Sequence, residues 1–212
     1  MSVRKKPPKG RPLSLDEVRA LYHTTDYDYL KRFILWLVGT AARPDAILEL
    51  TTDQIDLEYG LVQLNPKGRR QTKKYRPTVK LAPTLRDHIG DGPWIIMSKG
   101  KPRKDVKYSW RKLRKALAFN DEVVPYSLRH TMARHLRASG IDSWQVSAQL
   151  GHKQPGLSTT EIYAPFAPNY LADSTQILDK YLKNIMISPD ELPITCSQHA
   201  QIEARRKANE EA

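Results

Sequence analysis

The chain has 212 residues, 40% hydrophobic and 27% charged, so a buried core is feasible and wholesale disorder is not expected. Thirty-five Lys and Arg against 23 Asp and Glu leave a net charge of +12, which suits a polyanionic partner such as nucleic acid or an acidic membrane surface. The longest apolar run, Phe33 to Val38, falls far short of the ~20 residues of a membrane-spanning helix, no apolar stretch behind the basic N-terminus makes a secretory signal, and one cysteine, Cys196, excludes an intramolecular disulfide or a Cys-rich zinc module. The expectation is a cytoplasmic, basic globular protein of one or two domains with no membrane partner.

Residues 1–11 carry Arg4, Lys5, Lys6, Lys9 and Arg11 with no acid, among Pro7, Pro8 and Gly10, and read as a flexible basic arm. Ser14 and Glu17 have the spacing of a capping box, so a helix is predicted from there to Tyr22. Tyr29, Phe33, Trp36 and Leu37 continue at helical spacing over 26–39, with a break at Gly39 to Arg43. Pro44 suits the first turn of a helix over Asp45 to Leu50. Gln54–Glu58, Leu61–Leu64 and Arg76–Leu81 read as three antiparallel strands. Val106, Trp110, Leu113 and Leu117 form one apolar stripe on a strongly basic helix. Helices follow over Ser127–Ala138, Ser143–Leu150 and Asn169–Lys183, the first two stopped by Gly140 and Gly151. Helices, then a small sheet, then helices argue an α+β fold, mainly helical with a three-stranded antiparallel sheet.

No P-loop, GxGxxG, HExxH or GxSxG motif is present, and the six histidines lack zinc-ligand spacing. Four other segments stand out. Arg43 sits in Gly39–Pro44, at the mouth of a helix. Lys73 and Lys74 sit in the hairpin string Gln71–Arg76. Arg129 follows Tyr126 in Tyr126-Ser127-Leu128-Arg129-His130-Thr131. Leu150-Gly151-His152 is followed eleven residues later by Tyr163, inside Ser158–Tyr163. Singly, each has an ordinary reading: a surface arginine, a solvated hairpin face, a helix C-terminal histidine, a packed tyrosine.

Together and in this order they resemble the tyrosine recombinases of the phage-integrase family, over about residues 12–183. The resemblance implies a site-specific DNA recombinase or integrase. A tyrosine attacks a backbone phosphate to form a 3′-phosphotyrosine, and a 5′-hydroxyl later reverses the step. Cationic side chains replace a metal at the charged phosphorane, so no metal and no cofactor is expected. By this resemblance Arg43 and Arg129 grip the non-bridging oxygens, His152 donates to the same phosphate and Tyr163 is the nucleophile. Lys73 best matches the lysine that protonates the leaving oxygen, with Lys74 and Lys67 as alternatives. Tyr126 stands where the family usually has histidine, and with an ordinary pKa of ~10 it is a poor base near neutral pH. Asp45 stands two residues after Arg43, where a glutamate at three is usual, and is a candidate for holding an arginine or a helix end. Tyr170 is the obvious decoy nucleophile, and His130 reads as a packing or hydrogen-bonding residue.

The resemblance further implies double-stranded DNA as partner, a monomer alone and a tetramer on paired sites, and a bacterial or phage source with nucleoid association. It divides the chain into 1–11 as arm or interdomain linker, 12–183 as catalytic domain, and 184–212 as a C-terminal tail, a candidate for exchange between protomers. Family members place a DNA-binding domain ahead of this one, and the pattern beginning by Leu13 leaves no room for it here. The alternatives in view are a type IB topoisomerase-like enzyme and a non-catalytic DNA-binding remnant of an integrase. Nine bases and one acid from Lys99 to Lys115, and seven bases and no acid from Lys67 to Lys80, predict salt-dependent DNA binding.

Overall fold

The structure is a computed structural model, and it describes residues 9–72, 74–152, 167 and 169–188. Helix α1 spans Leu15–Thr24, and its start carries the full capping box: Ser14 Oγ accepts from the Glu17 N–H while Glu17 accepts from the Ser14 N–H. Helix α2, Asp28–Thr40, is buried on all sides from Phe33 to Thr40, so it forms the centre of the molecule. Trp36 sits fully inside it and satisfies its indole N–H on the His88 carbonyl at 3.0 Å. Helix α3, Pro44–Leu48, is shorter than its apolar pattern implied and begins at proline, which needs no hydrogen bond there.

The predicted sheet forms, with shorter strands. A 3₁₀ turn over Thr52–Gln54 precedes β1, Ile55–Asp56, which pairs with β2, Leu61–Gln63, and β2 pairs with β3, Thr78–Lys80, all antiparallel. The register sets Val62 opposite Val79, and both are fully buried. A 3₁₀ turn over Pro83–His88 and a second hairpin, β4 Met97–Ser98 with β5 Lys101–Pro102, follow. Neither has a clear sequence pattern, because two-residue strands are too short to show alternation.

Helix α4 spans Lys107–Ala116, burying Trp110 and Leu113 and leaving its basic face outward. Helix α5, Pro125–Ala138, starts two residues earlier than its pattern implied, since Pro125 takes the first helical position. Helix α6 is Ser143–Leu150 and α7 is Ala172–Met186, the latter displaced towards the C-terminus from the predicted Asn169–Lys183. Leu171 adopts φ 51° just before α7, which delays its start. Helix α7 packs on α1 and α2. Its last turn is capped from α1, where Arg19 Nε donates to the Asn184 carbonyl and His23 Nε2 to that of Ile185, both at 2.9 Å. Among the described residues no helix is long and apolar enough to cross a membrane.

Candidate functional site

Three helix segments meet at one place: the end of α2, the first half of α5 and the end of α6. Helix α2 stops where Ala41 enters the left-handed region, at φ 52° and ψ 23°. Two residues later Arg43 is the N-cap of α3, and its Nη1 donates to the Tyr75 carbonyl at 2.5 Å. Arg129 lies in the second turn of α5 and is 4% exposed. Its Nη1 donates to the Ala41 carbonyl at 2.8 Å and its Nη2 to the Leu150 carbonyl at 2.6 Å. A guanidinium has five N–H donors, so two of them tie α2 and α6 together while the Tyr126 side chain also hydrogen-bonds the group. Gln149 reinforces the junction by donating to the Thr40 carbonyl at 2.7 Å.

Helix α6 ends in a Schellman turn. Gly151 takes φ 62° and donates to Ala148, and the His152 N–H reaches back to the Ser147 carbonyl at 2.8 Å. A β-carbon on Gly151 would lie 2.6 Å from Pro77 Cδ and 2.9 Å from the Tyr75 oxygen, so the segment leading into β3 sits directly against this turn. His152 follows this turn directly, near enough to Arg129 and Arg43 for their charges to act on its ring.

The electrostatics follow from that convergence. Burial, and then the charge of Arg43, push the Arg129 pKa down to about 10, an effect the Tyr126 side chain partly offsets. His152 is open to solvent at the edge of the site, yet partial loss of water and then the fields of Arg129 and Arg43 hold its imidazole below the ordinary value. Among the described residues neither Arg43 nor Arg129 has a carboxylate partner. The arrangement is a concentrated positive field with free donors, which is suited to an anion. No group of three His, Cys, Asp or Glu among the described residues could hold a metal ion.

Arg43, Arg129 and His152 are thus brought together, and Tyr126 stands beside them with its ring centroid 6.0 Å from Arg129 Cζ. Lys73 and Tyr163 lie outside the described residues. Lys74 is exposed on the hairpin, as is Lys67. Tyr170, the decoy, is 7% exposed and its hydroxyl donates to the Thr78 carbonyl at 3.0 Å, which makes it a packing residue. His130 stacks edge-on against Tyr126 at 4.9 Å, with its Nε2 buried.

Of the two roles expected for Asp45, the structure keeps one. Asp45 lies exposed in the first turn of α3, where it complements the helix end, but it holds no arginine. That task falls to Glu49, at the other end of α3, whose Oε2 is 2.7 Å from Nη1 of the buried Arg76. Sequence reading overlooked Glu49, Gln71 and Gln149. The Glu49–Arg76 pair spans 27 residues and belongs to no motif. Only the position of Gln149, just ahead of Leu150-Gly151-His152, carried a signal.

Comparison with known proteins gives the family and the fold. The chain is 30% identical to tyrosine recombinase XerC of Lacticaseibacillus casei over 168 residues, which cover 69% of this chain and 55% of that protein. It is 29% identical to tyrosine recombinase XerA of Pyrococcus furiosus over 181 residues, 80% of this chain and 63% of the relative. It therefore spans roughly three-fifths of the length of such relatives. Among solved structures, a XerA recombinase matches with a TM-score of 0.54 at 22% identity, over 74% of this chain and 61% of that one. A lambda integrase dimer bound to a COC′ core site matches with a TM-score of 0.57 at 19% identity, over 72% and 61%. At these identities the likeness is one of fold. The sequence profile of the phage integrase family matches residues 11–169, and the chain belongs to that family.

Proposed function

We propose that this chain carries the strand-transfer site of a site-specific DNA recombinase, with residues 12–183 as the catalytic unit. The observation that carries the reading is the pair Arg43 and Arg129: two guanidiniums at one junction with no carboxylate partner among the described residues, Arg129 lowered by burial and then by Arg43, with His152 in the same field. Such a pair has its favourable state with an anion between its donors, and a DNA phosphodiester fits a planar fork. Its relatives bear the names of tyrosine recombinases, and the lambda integrase of similar fold was solved on DNA.

In this reading the Tyr163 oxygen attacks phosphorus, the bond to the 5′-oxygen breaks, and a 3′-phosphotyrosine forms. Arg43, Arg129 and His152 stabilise the charge on the non-bridging oxygens. A hairpin lysine, Lys73 first among the candidates, gives a proton to the leaving oxygen. Tyr126, at the usual histidine position, donates to the phosphate. The phosphoester bond is conserved throughout, so the reaction needs no external energy. Recombination would occur at the nucleoid, with four copies on paired sites.

A nicked suicide duplex tests this. Strand release after cleavage traps the covalent complex. The unsubstituted chain is expected to form a protease-sensitive protein–DNA adduct, while Tyr163→Phe binds the duplex and forms none. An adduct in Tyr163→Phe would move the nucleophile elsewhere. Binding with no adduct in the unsubstituted chain would favour a DNA-binding remnant.

A further inference from the structure

The hairpin between β2 and β3 carries the lysines, and hydrogen bonds rather than packing define its return limb. Thr72 and Lys74 are exposed, and no described residue from Gln71 to Tyr75 is buried. A free polar turn would sample many conformations, at ~1–2 kcal/mol of backbone entropy per residue to fix. Here the Gln71 side chain closes it. Gln71 Oε1 accepts from the Arg76 N–H at 3.1 Å, and Gln71 Nε2 donates to the Arg76 carbonyl at 2.7 Å. One amide side chain thus reproduces the paired hydrogen bonds of an antiparallel ladder, and ties Gln71 to Arg76 across the turn.

Arg76 is in turn held on several sides. Its side chain is 7% exposed and bound to Glu49 on α3, and the carbonyl before it accepts from Arg43. The following Pro77 lies against Gly151. The point to which Gln71 anchors the turn is therefore located relative to Arg43 and to the His152 turn. On the first limb of the hairpin, Asn65 and Arg69 make a similar side-chain closure at 2.7 Å.

We propose that Gln71 is a positioning residue: through Arg76 it sets the lysine-bearing turn at the distance from the phosphate site at which an ammonium reaches the leaving 5′-oxygen. This rests on the strand-transfer reading above. A general acid acts only within hydrogen-bond reach, and a shift of ~1 Å costs on the order of 10²-fold.

The test uses the full chain, saturating nicked duplex and single-turnover adduct formation. Gln71→Met keeps the length and removes both bonds, and Gln71→Glu keeps only the acceptor. Two duplexes are compared, one ordinary and one with a 5′-bridging phosphorothiolate, whose thiolate leaves without needing a proton. Gln71→Met is expected to be ~10–100-fold slower on ordinary DNA, within about threefold of the unsubstituted chain on the sulfur duplex, and unchanged in DNA affinity. Gln71→Glu is slowed less. Equal slowing on both duplexes would mean general disruption and overturn the proposal, as would full speed on ordinary DNA. Failure of the strand-transfer reading looks different: the unsubstituted chain would then form no adduct with either duplex.

Discussion

Arg129 uses its guanidinium in two directions. Two donors hold the carbonyls of Ala41 and Leu150, and the rest of the group faces Tyr126 and the field of Arg43. A lysine could not serve both purposes, because its single ammonium presents no rigid fork. Partial burial, and after it the charges of Arg129 and Arg43, hold the His152 pKa below the ordinary ~6.5. The imidazole is therefore neutral near pH 7, and protonates only when the pH falls through that depressed value. An unfolded chain takes up this proton first, so His152 contributes stability above its ordinary pKa that is lost as pH falls. A phosphate between the two arginines would offset their part of this shift and act on the ring as a negative charge, which raises the pKa. Binding should then take up a proton and strengthen as pH falls from 7.5 towards 6. Imidazole NMR titrations with and without a duplex check this. A His152 pKa that DNA leaves unmoved would place the residue away from the phosphate.

At the scale of elements, the site depends on how helices end. Gly151 is the clearest case. Its φ of 62° costs a residue with a β-carbon ~1–2 kcal/mol, and the added atom would meet Pro77 and the Tyr75 carbonyl. Gly151→Ala is expected to lower stability by roughly 1–3 kcal/mol in urea unfolding. It should also slow adduct formation, since either His152 or the Tyr75–Pro77 segment must shift. Unaltered stability and rate would show that the turn has slack. These helix ends were legible in advance, because Ser14, Pro44, Gly151 and the apolar stripes are local signals. The α6 limits agree to the residue. The supports behind the site were not legible. Ala41 in a left-handed turn looks like any alanine, and the Glu49–Arg76 and Gln149–Thr40 bonds join residues 27 and 109 positions apart. Local patterns carry no information about such partners. Of the two roles open to Asp45, the one local to its helix end holds, and the distant one, an arginine partner, does not.

Across the whole molecule, the apolar α2 at the centre lets the surrounding elements turn their charge outward, and α4 does so most strongly. It buries Trp110 and Leu113 and exposes Lys107, Tyr108, Arg111, Lys112 and Lys115. Lys107, Arg111 and Lys115 are successive i, i+4 neighbours, so in the free protein their mutual repulsion costs a few tenths of a kcal/mol per pair. A helix kept this way against its own stability is suited to a polyanion. If it lies along DNA, each phosphate neutralised releases counterions and adds about −0.9 to the slope of log affinity against log salt. Lys107→Gln, Arg111→Gln and Lys115→Gln together should flatten that slope by up to about 2.7. Folding should survive, because the three residues are exposed and hold no ion pair among the described residues. The rate of adduct formation at saturating DNA should also survive, since α4 contributes none of the groups around Arg129. Titrations across a salt series measure the first effect and the suicide duplex the second. A slope equal to that of the unsubstituted chain would remove α4 from the DNA-facing surface.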